Sequence, residues 1–228
     1  MTEASLQPSL VKQAERFGDD VTKVVNGAFG IDPNVQVIES QGRLVIKMLP
    51  VPLKVKGEEL ATLTMSIRCG PDTADTYIAV EKSSYIVAAR VTREPIIRFD
   101  YDRDAHSKPS SHVQIHAHRG ELTALLSKAG HKTPHSIAAL HIPTGGPRFR
   151  PSIEDIAEFL IADWGFDGAT GWHDVIEKNR ISYRRIQARS VVRDVPEDAA
   201  AVLTELGYKV TPPADGPAED KLRALRQW

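Results

Sequence analysis

The chain has 228 residues, with 29 basic against 30 acidic side chains, a formal net charge of −1, 41% hydrophobic and 26% charged residues. This is ordinary globular usage, which excludes a chain disordered by composition, and the charge balance excludes a global attraction to nucleic acid or anionic membrane. The one cysteine, Cys69, excludes an internal disulfide and fits a reducing compartment. The opening MTEASLQPSLVKQAERFGDD mixes charges into its apolar positions, the pattern of neither a signal peptide nor a membrane span. The expected location is the cytoplasm, with no membrane partner.

Leu10, Val11, Ala14, Phe17, Val21, Val24 and Val25 recur at helical spacing and predict an amphipathic helix stopped by Gly30, with Gly18 as its weak point. From Val35 to His118 the period changes to two. VQVIES and RLVIKML flank a Gln41-Gly42 turn, and ELATLTMSIRCG, TYIAVEK, YIVAARV, PIIRFDYD and HVQIHAH follow at short intervals. Strands this closely spaced leave no room for crossover helices, so they must pair antiparallel, as a meander of about six or seven strands.

Past His118 the pattern becomes helical, with a short segment from Gly120 to Ala129 and a strand-like AALHIP. Ser152 and Asp155 form a capping-box-like start to a helix that buries Ile153, Ile156, Ala157, Leu160, Ile161 and Trp164. Another begins near Trp172, with Val175, Ile176, Asn179, Tyr183 and Ile186 on one face, and the next runs from about Pro196 to Leu206, stopped by Gly207. TPPADGPAED reads as a linker before KLRALRQW, a short helix with Leu222, Leu225 and Trp228 along one edge. The expectation is therefore an α+β fold, an antiparallel curved sheet (meander) with an N-terminal helix and a C-terminal helical region packed on it. One domain spans 1–210, sheet-rich over 31–145 and helical over 152–208, and 211–228 is linker and terminal helix.

The most informative stretch is HVQIHAH. In a strand, His112, Gln114, His116 and His118 project from one face and Val113, Ile115 and Ala117 from the other. In PIIRFDYD, Arg98, Asp100 and Asp102 likewise share a face opposite Ile97, Phe99 and Tyr101. If the two strands form a hairpin with aligned apolar faces, their polar faces coincide, because a one-residue slip would put charges into the core. Three uses follow. His112, His116 and His118 with Asp100 and Asp102 could perform general acid-base chemistry, with Arg98 and Gln114 contacting a phosphate, as in metal-independent RNA cleavage. The same imidazoles and carboxylates could hold zinc, manganese or iron for hydrolysis, the metal being unspecified. Or the histidines sit on a solvated sheet face.

In LHIPTGGPRFRPS the Thr144-Gly145-Gly146 turn, Arg148 and Arg150 precede a helix N-terminus, the elements of an anion site, and His141 could join the histidine face. Arg180, Arg184, Arg185, Arg189 and Arg193 predict a basic stripe on a helix, suited to phosphate or an acidic partner surface. The chain has no G-x-S-x-G, P-loop, dinucleotide fingerprint or H-E-x-x-H, and nothing that specifies a cofactor. Cys69 ends a strand and reads as a small buried side chain.

RFDYDRDAHSKPSSHVQIHAH followed by LHIPTGG resembles TumE-like toxin proteins, in which a Tyr/Asp-rich strand precedes a His-rich strand. The likeness covers residues 95–150, under a third of the chain, and leaves the flanking regions unmatched. It implies a toxin-antitoxin or defence setting with RNA as target, and no catalytic assignment is carried over from it. Two functions are expected. One is an RNA- or nucleotide-phosphate-directed protein using the His/Asp/Arg face; the other is a non-catalytic interaction module, an adaptor, antitoxin-like protein or homo-oligomer. The second would bind a protein through the basic helix (Arg180, Arg184, Arg189) and the Trp228 tail.

Overall fold

The structure is a computed structural model that describes residues 7–72, 76–117, 120–128, 130 and 132–227. Helix α1 (Pro8–Phe29) leads into strands β1 (Val35–Ser40), β2 (Arg43–Val55), β3 (Glu58–Pro71), β4 (Ile78–Ala89), β5 (Pro95–Asp102) and β6 (Ser111–Ile115). Then come α2 (Gly120–Lys128), a 3₁₀ turn (Ile137–Ala139), β7 (Ile142–Pro143) and α3 (Ile153–Glu158), which runs into a π turn at Phe159–Asp163. The chain closes with α4 (Trp172–Asp194), α5 (Pro196–Glu205) and α6 (Leu222–Arg226). The seven strands pair in sequence order, antiparallel throughout, in one open sheet, and irregularities of register in β2, β3 and β4 bend it. The α+β expectation holds.

Two strand assignments differ from the sequence reading. TYIAVEK and YIVAARV fuse into the single β4, because Ser83 faces the core and Ser84 donates a hydrogen bond to Asp100, so the serine pair continues the ladder instead of turning. The seventh strand is the two-residue β7, a short edge containing a proline, which limits pairing with other chains.

α1 buries Leu10, Ala14, Gly18, Val21, Val24, Val25 and Ala28, and Gly30 closes it in the left-handed conformation (φ 68°). That stripe meets Ile46, Met48, Leu63, Met65, Ile67, Cys69 and Val87 from alternate positions of β2–β4. α3 adds Ile153 and Ile156, and Leu160 follows in the π turn. Its start is the reciprocal capping box expected of Ser152 and Asp155. Each fully buried aliphatic side chain contributes about 1.5–3 kcal/mol, so this core dominates the favourable side of stability. Burial pushes the Cys69 thiol up to about 12, so it is a core atom and not a nucleophile. Among the described residues no helix is long and apolar enough to cross a membrane.

α4 packs against α1 and α3. The packing is close at Gly27, where a Cβ would lie 2.5 Å from Val175 Cγ1. The segment between α3 and α4 returns to the sheet. Asp167 accepts hydrogen bonds from the Lys56 and Gly57 N–H groups at the β2–β3 turn, and these bonds hold its carboxyl below the usual range.

Candidate functional site

With one face of the sheet committed to α1 and α3, the other carries the polar set. One row crosses all seven strands: Gln36, Lys47, Ser66, Ser84, Asp100, His112 and Pro143. The next row holds Thr64, Ile86, Arg98 and Gln114. The hairpin register left open by the sequence is thus Asp100 opposite His112 and Arg98 opposite Gln114.

Asp100 is fixed from two sides, accepting from Ser84 Oγ at 2.6 Å and from the Arg98 guanidinium, whose Nη2 lies 3.2 Å from Oδ2. His112 is wholly buried, its Nδ1 is 2.9 Å from the Pro109 carbonyl, and its ring meets that of His141 edge-on with centroids 4.7 Å apart. The Pro109 carbonyl can only accept, so the proton is on Nδ1 and Nε2 presents a lone pair. Gln114 donates to the Ala138 carbonyl and lies 3.4 Å from His141 Nε2. Burial lowers the pKa of both His112 and His141, with the Lys108 charge acting the same way. His112 Nε2 and Arg98 Nε are buried without a hydrogen-bond partner, and they lie on adjacent rows.

The structure therefore brings together Arg98, Asp100, His112, Gln114 and His141, and separates the others from them. β6 ends at Ile115, so His116 lies beyond the strand end with an exposed side chain, although its N–H still bonds the Ile96 carbonyl. His118 and Trp228 lie outside the described residues. Asp102 is engaged by Lys82 and by the Asp104 N–H; burial raises its pKa, but these bonds outweigh it and the net shift is downward. Among the described residues no group of three or more His, Cys, Asp or Glu is placed to hold a metal ion.

Both arginines of the 144–152 loop are engaged within the chain. Arg148 makes a bidentate pair with buried Asp194, at 2.6 and 2.8 Å, and Arg150 stacks 4.7 Å over the Tyr101 ring. Tyr101 belongs to the core-facing set, so Arg150 is on the far side of the sheet from His112. In α4, Arg180 reaches Asp155 and Glu158, and Arg184 reaches Asp155, so both face α3 and the continuous exposed stripe is broken. Arg193 lies over the Tyr77 ring. Only Arg185 and Arg189 of the five show no such contact among the described residues. Ile186, which shares the predicted face of Val175 and Ile176, is 60% exposed.

A second surface was not singled out in the sequence. α5 has no buried residue and packs principally along the end of α4. Ala199, Val202, Leu203 and Leu206 form an i, i+3, i+4, i+7 stripe on it, and Val202, Leu203 and Leu206 are exposed. Val191 and Val192 at the end of α4 are exposed beside it, and Ile181, earlier on α4, is exposed as well. An apolar groove of about 490 Å³ runs between Val192, Pro196, Ala199, Leu203, Val210 and Ala218. A second lies between Val191, Val195, Ala199 and Val202. No histidine lines either. The available signal was that α5 has an apolar stripe while α4 offers few apolar residues to receive it.

No family model, curated protein or solved structure matches this chain. Its own geometry has to carry the functional reading.

Proposed function

We propose that the protein is a non-catalytic interaction module that docks another protein through the apolar α4–α5 hairpin. The observation that carries this is α5 itself, a ten-residue helix with no buried residue. Helices of this length are marginal in water and take their stability from packing an apolar face. The part of α5's stripe that α4 leaves open therefore fits a partner surface. Contiguous exposed apolar surface on this scale marks interaction sites in soluble proteins.

The geometry favours this over RNA or phosphate chemistry at the His/Asp/Arg face, within a toxin-antitoxin setting or outside one. The two orphaned nitrogens, Arg98 Nε and His112 Nε2, are what speak for a polar ligand there. Yet His112 is fully enclosed, and Lys82 and Arg98 already face Asp102 and Asp100, leaving little free positive charge for phosphate.

The test is the stability of dilute protein carrying Val202→Asp or Leu206→Asp. A docking face that touches little of its own chain tolerates either change within about 0.5 kcal/mol. Losses above about 2 kcal/mol in chemical denaturation would mean that the stripe is internal core, and the reading fails.

A further inference from the structure

Resting on the interaction-module reading, we infer that the partner of the hairpin is a second copy of this chain, related by a two-fold axis that sets α4 of each copy against α5 of the other. The end of α4 next to α5 is basic, although the start of α4 exposes Asp174 and Glu177, and α5 is acidic. Arg185 and Arg189 are exposed on α4, and Glu197, Asp198 and Glu205 are exposed on α5. Among the described residues none of these five makes an ion pair. Arg185 and Arg189 share the solvent-side stripe of α4 with Ile181 and Val192, at i, i+4, i+8 and i+11. Asp198 and Glu205 flank Val202 on α5 at i, i+4 and i+7.

Between Ile181 and Val192 the α4 strip carries only basic charge, with the acidic Glu177 one turn before it, and the α5 strip carries only acidic charge, so the two facing portions are opposite in sign. A two-fold interface needs a self-complementary patch, in which residue i meets j and j meets i. A basic strip joined by a tight turn to an acidic one meets that need, because turning a second copy end for end puts Arg185 and Arg189 against Asp198 and Glu205 twice over. The net charge of −1 adds no long-range repulsion between copies. Burial of Val192, Val202, Leu203 and Leu206 supplies the affinity, while the exposed charge pairs mainly fix orientation. The partner is thus identified by opposite charge flanking matched apolar strips.

Sedimentation velocity of the full chain over a wide concentration range, combined with charge reversal, tests this. The expected species has twice the 25.1 kDa chain mass. Arg185→Glu/Arg189→Glu, and separately Asp198→Lys/Glu205→Lys, should each weaken self-association by about tenfold or more, because each pair occurs twice. Mixing the two variants should give a heterodimer, and all four reversals in one chain should restore the homodimer. Those rescues depend on cross-copy pairing and not on fold. A wild-type chain that stays monomeric at every concentration, or rescue that fails although both variants melt like wild type, overturns the second-copy assignment. Amide exchange of the monomer then separates the two readings. Fast exchange throughout α5 leaves the module reading standing with a different partner, whereas protection of α5 equal to that of α1 removes both.

Discussion

His112 is the side chain whose environment most constrains its chemistry. It is buried, donates from Nδ1 to a carbonyl, and has no acceptor for a second proton on Nε2. Its pKa lies below the ordinary 6.5, through burial first and then Lys108 and His141, and His141 is shifted the same way. A histidine with a lowered folded pKa takes up its proton in the unfolded chain first. Stability is therefore fully present above about pH 6.5, falls as the pH drops toward the folded pKa, and levels off below it, with a slope of at most about 1.4 kcal/mol per pH unit for each group. Denaturation of wild type and of His112→Gln/His141→Gln between pH 7.5 and 5.5 measures this, since glutamine keeps a donor for Pro109 without titrating. Wild type should lose stability on acidification relative to the variant, and parallel curves would refute the assignment. Glu81 shows the opposite strategy. It is buried at the β4 irregularity and paired with Arg43, Arg68 and Arg103. Gly70 lies so close that a Cβ there would collide with the Glu81 carboxylate.

At the level of elements, two glycines in α1 separate helix propensity from packing. Replacing a mid-helix glycine by alanine gains about 0.5–1 kcal/mol when the methyl group has room. At Gly18 it does, since the nearest atom to a new Cβ is Val35 Cγ1 at 3.4 Å, an ordinary contact, so Gly18→Ala should stabilise. At Gly27 the same methyl would lie 2.5 Å from Val175 Cγ1 and 2.9 Å from its Cβ, and overpacking of about 1–3 kcal/mol outweighs the gain. Opposite shifts in melting temperature are expected for the two variants. A shift of the same sign would mean that α4 is not seated on α1 as described. The sequence made α1 legible because its stripe, its Gly30 cap and the Ser152–Asp155 box are local patterns governed by nearest turns. It also made the shared polar face of β5 and β6 legible, because strand alternation leaves a hairpin only one way to keep Ile97, Phe99 and Val113 inside. It raised His141 as a member of the histidine face without fixing its contact with His112, and it did not make legible the Arg148–Asp194 pair; these join residues 29 and 46 positions apart through tertiary packing. Nor could periodicity show that α5 would find no covering element, since an amphipathic stripe looks the same whether its partner lies in the same chain or in another.

At the scale of the molecule, one buried carboxylate joins the C-terminal elements to the 144–152 loop. Asp194, the last residue of α4, receives two bonds from Arg148, and its carbonyl accepts the Lys221 N–H, so it ties the hairpin, the 144–152 loop and the tail together. Beyond it, Arg223 and Gln227 donate to the Arg103 carbonyl and Arg223 also pairs with Asp104, so α6 docks at the β5–β6 connection on its own chain. Asp194 and the α6 contacts thus hold the end of the hairpin and its neighbouring tail, while the exposed apolar side chains of α5 face outward. Asp194→Ala leaves Arg148 without its carboxylate. Breaking a fully buried pair costs about 3–5 kcal/mol, but Arg148 keeps 30% of its side chain in solvent, so a cost of about 2 kcal/mol is expected. Because Asp194 fixes the end of α4 and not the α1–sheet core, the loss should appear first as faster protease cleavage within 211–220 and faster amide exchange in α5 and α6, with α1 exchange little changed. Uniform loss of protection across α1 and the C-terminal helices would instead make Asp194 part of the global folding unit, and the hairpin could not then be positioned independently of the sheet.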